Sequence, residues 1–157
     1  MDEVAAAAGV GVGTVYRRFT DRAGLAQALL DAQERRFQAA FLHGSPPLGP
    51  GAPSGERIRA FLHAYVDRLV DEAPLLAVAE SHPPAARFAS GAYGLHRRHL
   101  AGLIGQARPD ADADYVAEAL LAPLAAVMFL HQHRDRGMRV ERIKAGLDDL
   151  LRGVVVA

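Results

Sequence analysis

An all-helical chain is predicted, with a small two-helix head ahead of a larger helical body, and three observations predict it. Apolar residues recur at helical spacing, as in Ile58, Phe61, Leu62, Tyr65 and Leu69, and again in Ile143, Leu147, Leu150, Leu151 and Val154. No stretch alternates in the manner of a strand, and no segment repeats another. Glycine and proline gather between the periodic stretches, most densely at Gly44, Pro46, Pro47, Gly49, Pro50, Gly51, Pro53 and Gly55. The 157 residues, 50% hydrophobic and 23% charged, suit a folded globular chain with one sizeable core. Eighteen basic and 18 acidic side chains cancel, which excludes a global field pulling the protein onto nucleic acid or a membrane. The absence of cysteine excludes disulfides and thiolate metal sites. No apolar run reaches the roughly 18 residues of a membrane helix, so the expected location is cytoplasmic, with no membrane partner.

The first elements span Val4 to Phe19, VAAAAGVGVGTVYRRF. Val4, Ala5 and Ala8 give a short helix one apolar side, with small residues where a second helix crosses closely. Gly9 stands where the chain needs a left-handed residue. Val10 is expected to turn inward, and Val15 and Phe19 at i, i+4 form the inner face of the next helix. The outer face of that helix carries Thr14, Tyr16, Arg17 and Arg18, donors suited to phosphates and base edges. This is the pattern of the second and third helices of a helix-turn-helix, which lays a short helix in the major groove of DNA. Across residues 14–22, Arg17, Arg18 and Arg22 against Asp21 leave a local net charge of +2 (three minus one).

Residues 4–25, VAAAAGVGVGTVYRRFTDRAGL, resemble the tetracycline-repressor (TetR) family of one-component regulators. The Ala-Gly-Val, Gly-Thr-hydrophobic-Tyr and Phe elements stand in the family's order. The resemblance implies phosphate contacts by Thr14 and Tyr16, base-edge or phosphate contacts by Arg17 and Arg18, and a backbone contact by Arg22. Gly11, Val12 and Gly13, at the start of the same helix, are counted with this DNA-binding set. Gly11 replaces the serine common in the family, and Gly24 replaces a frequent glutamate. The family pattern also places a helix before Val4, which this sequence is read as lacking, so DNA binding is expected to depend on an intact head. For the rest of the chain the resemblance implies a TetR-like helical body that binds a small ligand and forms a homodimer.

The remaining elements follow in order. Thr20 and Asp21 suit a helix start, and a connecting helix is predicted from Asp21 to about Leu42, with Leu25, Leu29, Ala32, Arg36 and Ala40 near one side. The head with its connecting helix is therefore assigned to residues 1–42 and the ligand-binding and dimerisation domain to 43–157. Residues 43–55 are predicted to be an exposed loop. Ser54 is expected to cap a helix over about 55–72, and Pro74 to open a separate short helix ending near Ser81. Pro83 and Pro84 end that connection. A helix from about Ala85 to Ala107 is interrupted in pattern by Gly91 and Gly94. After the turn at Pro109 and Asp110, Asp112 or Asp114 starts a long helix to about Arg136. Its centre, ALLAPLAAVMFL, is apolar on every side, predicting burial all round with a bend at Pro123. Gly137 closes it, and the last helix runs from about Val140 to Val155.

The body's ligand pocket is expected around Phe61, Tyr65, Phe88, Tyr93, His96, Leu100, Leu124, Met128 and His131, apolar walls with a few polar groups. Core packing is an equal reading for each residue alone. Glu80 and His82 are further polar candidates. The last two helices are the expected dimer interface, through Leu121, Val127, Leu147 and Leu151, because a lone chain would leave them partly exposed. His96 with His99, and His131 with His133, invite a metal reading, but no accompanying ligand pattern supports it, so no metal and no cofactor are assigned. No nucleophile with its base and no phosphate loop points to an enzyme. The favoured function is a ligand-responsive transcriptional regulator, a repressor released from a double-stranded DNA operator by a small molecule. The alternative is a dimeric small-molecule-binding or interaction module whose head does not read DNA.

Overall fold

A computed structural model describes residues 2–18, 22–81 and 86–155, which among them form α-helices, one 3-10 turn, one π turn and no strand. The chain divides into two compact units, Met1–Arg36 and Phe37–Ala157.

In the first unit, α1 (Asp2–Ala8) and α2 (Val12–Arg18) are joined by a tight reversal at Gly9. Gly9 takes φ +65°, the left-handed region that costs an ordinary residue about 1 kcal/mol. Its N–H donates to the Ala6 carbonyl at 3.2 Å, and the Val10 N–H donates to Ala5 at 3.0 Å. This pair of bonds is a Schellman closure, which satisfies carbonyls the helix end would otherwise leave open. The Gly11 carbonyl then accepts from the N–H of Thr14 at 2.8 Å and starts α2. Ala5 and Val15 are buried between the helices, as their spacing predicts. Val10, expected to face inward, is instead 44% exposed. Its backbone is committed to closing α1, and among the described side chains of these two seven-residue helices Ala5 and Val15 are the buried ones. Ala8 is exposed as well. Phe19, Thr20 and Asp21 lie outside the described residues. The connecting helix is α3 (Arg22–His43), which carries the boundary between the units.

The second unit is built on α4 (Ser54–Ser81). Against it pack α6 (Gly91–Ala107), α8 (Ala126–Leu130) and α9 (Val140–Val155), while α7 (Ala113–Leu121) lies along α6. Ile58, Phe61, Leu62, Tyr65, Val66 and Leu69 form the inner face of α4, as their period predicts. Phe37 and Phe41 at the end of α3 join the same core.

Three local expectations are corrected. Pro74 does not open a new helix; it lies inside α4, which runs through it to Ser81. Proline interrupts the helical bonding at one carbonyl, yet Leu69 and Ala73 before it are fully buried, and Leu76 and Ala77 after it pack on the same core. A continuous buried face outweighs the local penalty. Ser54 does not cap α4: the Pro53 carbonyl accepts from Arg57 N–H at 3.0 Å, and the Ser54 hydroxyl donates to Gln106 Oε1 at 3.0 Å. The segment beginning near Ala85 is two helices, α5 (Ala86–Ala89) and α6. They divide at Ser90, whose Oγ accepts from the Tyr93 N–H at 3.1 Å and caps α6.

The long helix expected after Asp112 is also broken, though Asp112 does cap it by accepting from Tyr115 N–H at 3.1 Å. Following α7, a 3-10 turn covers Ala122–Leu124, Ala125 is extended, and α8 leads into a π turn over His131–Asp135. The two arms, Ala113–Leu124 and Ala126–Asp135, meet at a 44° bend. Pro123 fits comfortably within the 3-10 turn, so the break falls two residues later, at Ala125. Nor is the apolar centre buried all round: Val127 is 55% and Met128 43% exposed, because one chain covers only one side of α8. Gly137 ends the π turn at φ +62°, and α9 has the predicted bounds. Among the described residues, no single helix is long and apolar enough to cross a membrane; the bent pair passes on length and composition.

Candidate nucleic-acid interface and a cavity in the body

In the head, α2 is the helix that carries most of the candidate DNA-facing residues. Gly11, Val12, Gly13 and Thr14 are exposed along its first turn, opposite the buried Val15. A methyl group built on Gly11 would stand 3.9 Å from Thr14 Oγ1, ordinary contact, so the helix start is open enough for a close approach to a phosphate. Tyr16, Arg17 and Arg18 continue α2, and Arg22 begins α3; their side chains lie outside what the structure describes.

The body holds a different kind of site. Arg87, on the four-residue α5, is among the most buried charged side chains described, at 8% exposure. It donates to the Glu80 carboxylate through Nη1 and to the Leu121 carbonyl through Nη2 at 3.1 Å, and its guanidinium lies over the Tyr93 ring at 5.3 Å. The other oxygen of Glu80 accepts the Ala126 N–H at 3.0 Å. The two backbone groups served are those the α7–α8 break sets free. At the break, the Ala125 N–H turns to Ala122 at 3.2 Å, so the Leu121 carbonyl loses its α-helical donor and is shared between the 3-10 turn it caps and Arg87. Ala126, opening α8, has no helical acceptor. One ion pair therefore closes both ends of the kink.

Burial pushes the Tyr65 phenol up from its ordinary pKa, with Arg87 opposing the shift. Burial also works against the charge of Arg87, but Tyr65 and Glu80 outweigh it and hold the guanidinium above its usual value. Beside this network lies a cavity of about 330 Å³ lined by Arg87, Phe88, Tyr93, Glu118, Ala122 and Ala125. Phe88 and Tyr93 meet edge to face, 5.2 Å between centroids. Burial raises the Tyr93 phenol, and the nearby Glu118 carboxylate adds to the shift.

Residues 1–29 match the family profile described as bacterial regulatory proteins, tetR family. Over those residues the head is similar to the DNA-binding head of TetR-family regulators. No curated protein matches the chain. The profile covers the TetR-type head and the start of α3, the part in which Gly9, Gly11 and Val15 have the places just described.

Beyond the TetR-type head, the residues expected around a ligand fall into three groups. Phe61, Tyr65 and His96 form one aromatic cluster with Phe37 and Phe41, at centroid separations of 5.1–6.1 Å. Leu100 and Leu124 are buried in the same core. Phe88 and Tyr93 line the cavity, although Phe88 is 64% exposed. Met128 and His131 are on the surface, His131 Nδ1 standing 3.3 Å from Asp135. His82 lies outside the described residues.

Of the residues expected to need a second copy, Leu121, Leu147 and Leu151 are already covered by the chain's own core. The reasoning that a lone chain leaves them exposed does not hold; each sits on the inner side of its helix. Val127 is exposed, and Met128 and Leu150 with it. Arg87 escaped the reading of the sequence because its neighbours Glu80, Tyr93 and Leu121 come from three other helices. Two of its partners did give a signal: Glu80 as a polar candidate and Tyr93 as an expected pocket wall. Of the other two histidines weighed for metal, His133 Nδ1 lies 2.8 Å from the Met138 carbonyl, and His99 packs tilted against Phe41 at 4.5 Å between ring centroids.

Proposed function

We propose that this chain is a ligand-responsive transcriptional regulator that represses a promoter until a small molecule binds its body. The observation that carries the reading is the conjunction of a TetR-type head with a cavity set against a kinked helix in the body. The DNA-facing set is Gly11, Val12, Gly13, Thr14, Tyr16, Arg17, Arg18 and Arg22, with the two hydroxyl-bearing residues on phosphate and the arginines divided between base edges and backbone. The effector site is the cavity beside Arg87, with Phe88 and Tyr93 as its aromatic walls. The working form is a homodimer in the cytoplasm, which spaces two recognition helices for successive major grooves about 34–36 Å apart. Support for pairing comes from Val127, Met128 and Leu150, exposed apolar residues on α8 and α9. They accompany a groove of about 350 Å³ floored by Pro123, Leu124, Ile143 and Leu147. Residues 1–42 serve as head and connection and 43–157 as the sensing and pairing domain. A ligand shifts the equilibrium only as far as it prefers one dimer arrangement over the other.

The test is a mobility-shift titration of the promoter DNA beside the gene, using the natural polypeptide. Tyr16→Ala and Arg17→Ala should each weaken binding by about 1–3 kcal/mol, and Arg17→Ala should relax base preference if it reads a base edge. Unchanged affinity in both variants rejects the assigned interface. Sedimentation at micromolar concentration should give a dimer, and Val127→Glu should dissociate it.

A further inference from the structure

We infer that the cavity at the α7–α8 kink takes a small, largely aromatic organic anion whose carboxylate seats on Arg87. The inference rests on reading that cavity as the effector site, and it names the class of molecule that fits. Arg87 cannot shed its charge, and it is held inside the body with Glu80 as its carboxylate partner. Glu80 is itself divided, since one of its oxygens serves the Ala126 N–H. A guanidinium carries five N–H donors, so beside Glu80, Leu121 and Tyr65 it can still give a charge-assisted bond to a second anion. Its fork is already oriented, stacked on Tyr93 at 5.3 Å and tied to the Leu121 carbonyl at 3.1 Å. The other walls, Phe88, Tyr93, Ala122 and Ala125, suit a flat apolar ring, and about 330 Å³ is at the small end of ligand cavities.

Glu118 is the one lining residue that speaks for a cation. Its side chain is 57% exposed and lies 4.0 Å from Arg97, so its charge stands at the solvent edge with a cation beside it. A bound ammonium would have to share the cavity with Arg87. The geometry also makes the occupant legible to the fold, because a carboxylate drawing on Arg87 competes with Glu80 and Leu121 at the kink.

Calorimetric titration of the full chain with 2-naphthoate, and with 2-naphthylmethylammonium as its charge-reversed counterpart, tests this. Naphthoate should bind, shift the Ala126 amide resonance, and lose about tenfold to a hundredfold in affinity in Arg87→Gln. Arg87→Lys, which keeps the charge without the fork, should fall between, and it serves if Arg87→Gln does not fold. Ala125→Trp, which fills the cavity, should abolish binding. Tighter binding of the ammonium, lost in Glu118→Gln, overturns the anion assignment, as does naphthoate binding indifferent to Arg87. In either case, sensitivity to Ala125→Trp keeps the cavity as the effector site. If no probe responds to Ala125→Trp, the effector-site reading fails, and the anion inference with it.

Discussion

In the head, Ala5 and Val15 are the buried apolar side chains among those described in α1 and α2, and backbone closure at Gly9 sets the reversal between the helices. In the body, the core gathers residues from α3, α4 and α6 through α9 around six aromatic and imidazole rings: Phe37, Phe41, Phe61, Tyr65, His96 and His99. The contrast shows two ways of specifying structure. Where little surface can be buried, turn chemistry carries the information, and it is local. Where much is buried, packing overrides local rules, as at Pro74, and long-range polar pairs such as Glu80–Arg87 repair what packing disturbs. The candidate sites divide along the same line: the head is recognisable from a short string of residues, while the cavity in the body becomes visible only once distant helices are brought together.

The largest effect should separate the two units. Phe61 is fully buried and contacts Phe37, Phe41, Tyr65 and both His96 and His99, so Phe61→Ala should destabilise the body by about 3–5 kcal/mol in chemical denaturation. Val15→Ala in the head should leave the body's transition in place. A common loss from both substitutions would mean that the units unfold as one.

A second, smaller effect should appear on acidification. Burial, reinforced by the charge of Arg57, lowers the His99 pKa from 6.5 to about 4. The unfolded chain therefore takes up this proton at a higher pH than the folded one. Stability is fully present above pH 6.5, falls between 6.5 and about 4, and loses nothing further from this group below that. With His99 partly exposed, the loss is discounted to on the order of 1–2 kcal/mol. Thermal melts across this range should show it, and His99→Phe should flatten the profile. An unchanged slope in that variant removes His99 as the cause.

The smallest effect sharpens the head. Gly9→Ala should cost about 1 kcal/mol, through φ +65° alone, since nothing lies within 4 Å of the added methyl. Helicity of the head, followed by amide exchange at Val10, reports it; a cost of several kcal/mol would mean that Gly9 does more than turn the chain.

Much of the architecture was legible because it is written locally. The bounds of α9 follow from Ile143, Leu147 and Leu151 in helical register, and the α1–α2 reversal follows from Gly9. Expectations that assumed one local rule would prevail went astray. Pro74 was expected to start a helix, and the burial of Leu69 and Ala73 carried α4 through it. Pro123 was expected to bend a continuous helix, and the break came at Ala125. ALLAPLAAVMFL was expected to be enclosed, and Val127 and Met128 stand outside. The candidate site followed the same rule: Phe88 and Tyr93 could be named from their residue types, but their meeting with Arg87, Glu118, Ala122 and Ala125 depends on the fold.

The closure of the kink also orders events in time. Arg87 lies 34 positions before Leu121, and Glu80 lies 46 before Ala126. Helical turns form within about a microsecond from neighbouring residues, whereas contacts across such separations wait for loops to close and helices to dock. A nascent ALLAPLAAVMFL segment thus meets its two fasteners only after α4 and α5 have arrived. The two fasteners of the bend therefore depend on tertiary contacts that the segment cannot make on its own.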